Sequence, residues 1–334
     1  MQLKSALSDL IYKPGKRIRA LPMLILMPVE GCNCKCRMCD IWQKKATQIM
    51  PLSQINQLLT DASNLKTNHL VLTGGEALLH PEIDEILKLA KGLGMKVTLL
   101  TSGLLIRKKA DLISHYVNEL VVSLDGPERC HDLIRGVPGA FALTRSGLLA
   151  LNPRPRIIAR HVVQKDTFAH ILETVKAAKD WTADHISFLT VDPDSQAFNH
   201  TEAHPDLSLN EAECQELSEK LARLAREEGG FVLEPAPKLF AMVQYFRAQL
   251  GIADFPGGPC NAPWNSCVVE TNGRVQPCFF QHYGGDDPVG VGLSAQLNHQ
   301  RAIRFRSALD VANDSICKTC VCRLWTPWRN RRDV

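Results

Sequence analysis

His69-Leu70-Val71-Leu72-Thr73-Gly74-Gly75-Glu76 is a short apolar run that stops at two glycines and an acid. Four residues are too few for a helix, and the glycines break whatever precedes them. The run therefore reads as a strand opening onto a loop at its C-terminal end. The same design recurs along the first half of the chain. Residues 23–27 lead into a cysteine-rich loop, residues 96–100 end at Thr101-Ser102-Gly103, and residues 119–124 end at Asp125-Gly126. Residues 156–163 and 185–189 read as two further strands. Helical patterns lie between them at 53–65, with Ser53 placed as an N-cap, at 81–93, with Gly94 at the end, and at 105–115, 140–151 and 168–181. Six strands alternating with helices predict parallel βαβ units, an α/β fold whose strand C-termini share one rim. The polar and glycine-rich residues follow those strand ends.

Beyond the alternation, residues 191–207 are polar and rich in Asp, His and Pro, and read as a connection. Residues 209–228 form an amphipathic helix and 237–250 another, with Pro237 suited to a first helical position. Phe255-Pro256-Gly257-Gly258-Pro259 breaks structure, and Asn272-Gly273 between residues 267–270 and 275–280 signals a hairpin. The expected division is an N-terminal extension at 1–20, a partial (β/α)6 TIM-like barrel at 21–190, a helical connection at 191–255, and a small cysteine-rich domain with its tail at 256–334. That last part has too little apolar sequence to stand alone, so bound metal is a sensible staple.

The composition excludes several classes. Of 334 residues, 45% are hydrophobic and 22% charged, which rules out a disordered tail, a fibrous repeat and a coiled coil. A net charge of +4 is too weak to argue for nucleic acid. The longest apolar stretch, residues 21–29, is interrupted by Pro22 and Pro28 and is far short of the ~20 residues of a membrane span. No signal peptide is evident at the start, so a reducing cytoplasm is expected, where clustered thiols hold metal. The distinctive figure is 12 cysteines. Cys32, Cys34, Cys36 and Cys39 form one group, Cys260, Cys267 and Cys278 a second, Cys317, Cys320 and Cys322 a third. Cys130 and Cys214 stand alone.

Cys32, Cys36 and Cys39 have the spacing C-x3-C-x2-C, three thiolates on one tight loop that would leave one iron of a 4Fe–4S cluster open to a small molecule. With Gly74-Gly75-Glu76 at the next strand end, this resembles the radical S-adenosylmethionine (radical SAM) superfamily, over residues 23–189. The resemblance implies that Cys32, Cys36 and Cys39 hold the SAM-binding 4Fe–4S cluster. It further implies that Gly74, Gly75 and Glu76 receive the SAM amino group, that Ser123 contacts SAM, and that Arg135 pairs with its carboxylate. Met38 stands where the family usually has an aromatic residue, and Cys34 is an extra thiol read as a passenger.

Cys260, Cys278 and a later Cys317-x2-Cys320 resemble the SPASM/twitch extension, in which four such thiols hold one auxiliary 4Fe–4S cluster. Cys267 is expected in the core, and Cys322 is an alternative to Cys320. A four-sulfur zinc site satisfies the same spacing.

The resemblance implies reductive cleavage of SAM, hydrogen abstraction from substrate, and a flavodoxin-like electron donor. No catalytic residue is assigned; Cys130, Cys214, Cys267 and Cys322 are candidate hydrogen donors for an epimerase. The segment before the first strand is too short for a peptide-binding domain, which favours oxidation, epimerisation or rearrangement of a small polar metabolite. A peptide maturase is the next reading, and a zinc-stapled binding module without catalysis the third. Trp325 and Trp328 among Arg323, Arg329, Arg331 and Arg332 read as a solvated tail.

Overall fold

A computed structural model of the chain describes residues 17–44, 48–284 and 291–325. Six strands pair in parallel and in chain order: β1 (Met23–Leu26), β2 (His69–Leu72), β3 (Lys96–Thr101), β4 (Glu119–Ser123), β5 (Arg156–Val163) and β6 (His185–Thr190). Each lies within one residue of the run expected from the sequence. The sheet is open. Its β6 edge is covered by residues 231–233, where Ile186 donates its N–H to the Phe231 carbonyl at 3.0 Å and accepts from Leu233 at 2.9 Å.

Alternation along the strands divides the two faces. Leu24 and Leu26, Leu70 and Leu72, Val97 and Leu99, Leu120 and Val122, Ile157 and Ala159 pack into one core beneath the outer helices. Those helices are α1 (Leu52–Asn64), α2 (Ile83–Gly92), α3 (Ala110–Tyr116), α4 (Glu128–Arg135), α5 (Ala140–Leu149) and α6 (Ile171–Asp180). α2 shows why: Ile83, Ile86, Leu87 and Ala90 recur at helical spacing and are fully buried, each large side chain contributing about 1.5–3 kcal/mol. The opposite strand face, including Ile25, Val71, Ser123 and Arg160, is half-buried and lines the barrel interior.

Several helix ends differ from expectation. α1 begins after Pro51, whose fixed φ starts it without a side-chain cap, so Ser53 is not the N-cap. Gly94 does close α2, at φ +74°, donating to the Lys91 carbonyl at 3.0 Å. Residues 105–115 divide into a 3₁₀ turn, Arg107–Lys109, followed by α3. α4 was not expected at all. The connection carries α7 (Glu211–Glu227), opened by a capping box of Asn210 and Glu213, and α8 (Ala236–Gln249), in which Pro237 is the second residue.

The hairpin exists as β7 (Ser266–Val269) and β8 (Val275–Gln276), antiparallel to each other. It does not stand apart: β7 pairs in parallel with β1 along its whole length, Met23 opposite Ser266 and Leu26 opposite Val269. All four β7 residues are buried, and Cys267 lies in the hydrophobic core across from Leu24. The cysteine-rich segment thus extends the barrel sheet. α9 (Ala262–Asn265) leads into β7, and α10 (Leu293–Leu297), α11 (Gln300–Ala308) and α12 (Ser315–Thr319) follow the hairpin. Trp328, Arg329, Arg331 and Arg332 fall outside the described residues.

Candidate iron–sulfur and cofactor site

The groups singled out in the first half of the sequence meet on the rim formed by the C-terminal ends of β1 to β4. The loop after β1 carries Cys32 to Cys39, and the turn after β2 docks against its entrance. Gly75 donates to the Val29 carbonyl at 3.1 Å and Glu76 to the Gly31 carbonyl at 2.9 Å. Gly74 sits at φ +119°, and a Cβ on Gly75 would lie 2.1 Å from the Gly31 carbonyl oxygen. The close approach permitted by the two glycines is therefore an approach to the cysteine loop's own backbone.

Glu76 is fully buried. One carboxylate oxygen accepts from the Thr101 hydroxyl at 2.8 Å, the Ser102 N–H at 2.9 Å and the Ser102 hydroxyl at 2.8 Å; the other accepts from the Leu78 N–H at 3.2 Å. Burial raises its pKa against the pull of these bonds. Four donors fill the roughly four acceptor positions of a carboxylate, so Glu76 ties the ends of β2 and β3 together.

The far side of the cysteine loop rests on α4. Lys35 donates to the Arg135 carbonyl at 2.9 Å and Arg37 to that of Ile134 at 3.1 Å. The Arg135 side chain is buried; Nε donates to Asp125 Oδ2 at 2.6 Å, and one terminal nitrogen donates to Cys36 Sγ at 3.4 Å. Burial opposes the charge of Arg135, but Asp125, followed by Cys36 and Cys34, raises its pKa overall. The Asp125 backbone N–H donates to His131 Nδ1 at 3.2 Å. Asp125 is thus the counter-ion of Arg135 rather than a simple turn residue.

Cys34 is buried between its neighbours. Its hydrogen bonds to Cys32 and then Cys36 raise its own pKa and lower theirs. The Cys34 bond first, and Arg135 against the effect of burial, bring Cys36 to about 6. Burial pushes Cys39 up to about 12. Cys34, expected as a passenger, is thus buried against both Cys32 and Cys36. Ser123, at the end of β4, pairs in register with Arg160 of β5; both face the barrel interior, and Arg160 Nε is buried without a hydrogen-bond partner.

At the other end of the chain, Cys278 and Cys320 lie within electrostatic reach of Cys260 and Cys322, and Cys317 within reach of Cys278. Burial raises Cys278 to about 11 and both Cys317 and Cys320 to about 12. Cys260 and Cys322 add charge repulsion at Cys278 and Cys320. Cys317 accepts from Gln281 at 3.5 Å, and Cys320 from the Cys322 N–H at 3.4 Å. Cys322 borders open space yet is ringed by protein; burial raises its thiol, while Arg160 and Lys238 oppose this. That interaction brings the second cysteine group within electrostatic reach of the barrel interior. Of the four candidate hydrogen donors, Cys214 and Cys267 are fully buried. Cys130 points its sulfur at the Asp125 and Asp166 carbonyls, both at 3.6 Å.

Among the described residues no three cysteine sulfurs fall within 4.8 Å of one another; the one trio of possible ligands that does is Asp40, His200 and His204.

Comparison with known proteins finds a match at each cysteine-rich end of the chain. Residues 26–151 match the family model of the radical SAM superfamily, and residues 260–321 that of an iron-sulfur cluster-binding domain, SPASM. The antilisterial bacteriocin subtilosin biosynthesis protein AlbA of Bacillus subtilis is 27% identical over 74% of this chain and 52% of its own length. An AdoMet-dependent heme synthase of Methanosarcina barkeri is 29% identical over 48% of each chain. The chain spans about half the length of these relatives. In fold it resembles Streptococcus suis SuiB bound to its precursor peptide SuiA, with a TM-score of 0.68, 17% identity, and coverage of 95% of this chain and 74% of SuiB.

Proposed function

The chain belongs to the radical SAM superfamily and carries a C-terminal SPASM domain, and from that premise we propose that it modifies a peptide by radical chemistry. Its cofactors are SAM, a SAM-binding 4Fe–4S cluster and auxiliary 4Fe–4S iron. When bound, they supply the electron that splits SAM into methionine and a 5′-deoxyadenosyl radical, which takes a hydrogen atom from the substrate.

The protein's part is to hold, orient and enclose. Cys32, Cys36 and Cys39 would hold the SAM-binding cluster. Arg135 donates to the Cys36 sulfur there, stabilising thiolate and setting the local charge. The backbone of residues 74–76 would receive the SAM amino group, with Glu76 fixing that turn against Thr101 and Ser102. Ser123 lines the wall on which SAM would lie. Arg135, held by Asp125 and Cys36, has one terminal nitrogen outside those bonds for the SAM carboxylate. Cys260, Cys278, Cys317 and Cys320 would hold the auxiliary cluster, which would offer an electron acceptor for the substrate radical. Arg160, unpartnered at Nε in the barrel interior, suits an anionic group of that substrate. A flavodoxin-like protein would supply the reducing electron.

The observation that carries the peptide reading is the likeness to the bacteriocin biosynthesis protein, which extends over 74% of the chain. The small-metabolite reading draws on the heme synthase, whose likeness covers 48%. A deuterium-labelled extract of the source cells separates the two. The anaerobically reduced protein, given SAM and either the peptide or the small-molecule fraction, should form deuterated 5′-deoxyadenosine from the peptide fraction. Deuterium arriving only from the small-molecule fraction overturns the substrate class. Absence of 5′-deoxyadenosine with both overturns the reaction.

A further inference from the structure

Beside the first cysteine group lies a set of side chains with no part in the chemistry above. His200 and His204, four residues apart in the connection after β6, face Asp40, the residue that follows Cys39. One ring nitrogen of each histidine and one Asp40 carboxylate oxygen lie within 4.8 Å of one another. His204 Nε2 is 3.0 Å from Asp40 Oδ2, and the two imidazole centroids are 4.7 Å apart.

His200 carries the argument. It is 6% exposed, and its Nε2 lies 3.3 Å from the Met38 carbonyl oxygen. A carbonyl can only accept, so Nε2 bears the proton of the neutral ring and the lone pair is on Nδ1. Nδ1 is buried and has no hydrogen-bond partner. Leaving a buried acceptor idle is costly. An N–H held by a backbone carbonyl is also how metal-ligating histidines are oriented. Asp40 is similarly supported: its other oxygen accepts from Gln43 at 2.6 Å, its N–H donates to the Phe198 carbonyl at 3.0 Å, and its carbonyl accepts from Asn199 at 3.0 Å.

We propose that Asp40, His200 and His204 form a mononuclear site for a divalent transition-metal ion of the zinc class. Two imidazoles and a carboxylate suit such an ion better than calcium or magnesium, and three protein ligands leave a position for water. The ion clamps the connection carrying His200 and His204 onto the loop that ends at Cys39. The proposal does not depend on the substrate reading.

The test uses the full chain with its iron–sulfur centres reconstituted, exposed to zinc or cobalt(II) and freed of loose metal. The expected result is one zinc retained per chain beyond the iron, and a cobalt spectrum of weak d–d bands without sulfur-to-cobalt charge transfer. In His200→Ala/His204→Ala, retention falls by more than about 10-fold, the scale reached even by outer-shell changes, while iron content holds. His200→Gln, which keeps a polar side chain in place, guards against loss of fold: it should retain iron and circular dichroism but lose the cobalt bands. Equal zinc retention in the variants, or a cobalt spectrum dominated by thiolate charge transfer, overturns the site.

Discussion

Gly75 has no room for a side chain: its Cβ would sit 2.1 Å from one backbone oxygen and 2.5 Å from another. Gly94 has open space but a φ of +74°. Gly75→Ala should therefore lower unfolding free energy by at least ~2 kcal/mol and depress iron incorporation. Gly94→Ala should cost about 1 kcal/mol without touching iron. Denaturant titration and the cluster absorption band read both effects. Asp125→Asn leaves Arg135 charged and buried without its counter-ion, so a loss of about 3–5 kcal/mol is expected by the same titration. A variant as stable as wild type would refute the pairing. The three-cysteine motif and the glycine pair were legible because spacing alone expresses them. Asp125 was not, since a buried ion pair to a residue ten positions away looks in sequence like any Asp-Gly turn. The bonding of Cys34 was hidden for the same reason.

At the scale of elements, the apolar runs predicted all six parallel strands, because strands buried on one face and lining a barrel on the other carry dense apolar sequence. α4 was missed: it is short, follows Pro127, and the face it buries carries His131 and Arg135 beside Ile134, so it does not read as an apolar stripe. Yet α4 supports the cysteine loop through the carbonyls of Ile134 and Arg135. It also carries His131, which packs edge-on against Trp181 near His161 of β5. Burial lowers both histidines to about 4 from an ordinary 6.5. The unfolded chain takes up protons below pH 6.5 while the folded chain refuses them until about pH 4. Stability contributed above 6.5 is accordingly lost as pH falls through that window, by about 3 kcal/mol for each histidine. His161→Gln should flatten the slope of stability against pH between 6.5 and 4. An unchanged slope would show that His161 protonates freely in the fold.

For the whole molecule, the cysteine spacing divided the chain near residue 256, but the sheet crosses that line. β7 lies against β1, so the strand that leads into the first cysteine loop is also the strand that anchors the second cysteine group. Spacing reports ligands, whereas sheet continuation depends on pairing between residues some 240 positions apart, which no local pattern encodes. Among the described residues no helix is long and apolar enough to cross a membrane. The joined sheet puts both cysteine groups on one frame. The most direct test is anaerobic reconstitution with iron and sulfide, followed by SAM and dithionite, with iron and 5′-deoxyadenosine measured together. The account predicts about eight irons per chain and 5′-deoxyadenosine that disappears when Cys32, Cys36 and Cys39 become alanine. Iron near zero with zinc in the thiolate sites, and no 5′-deoxyadenosine, would contradict it.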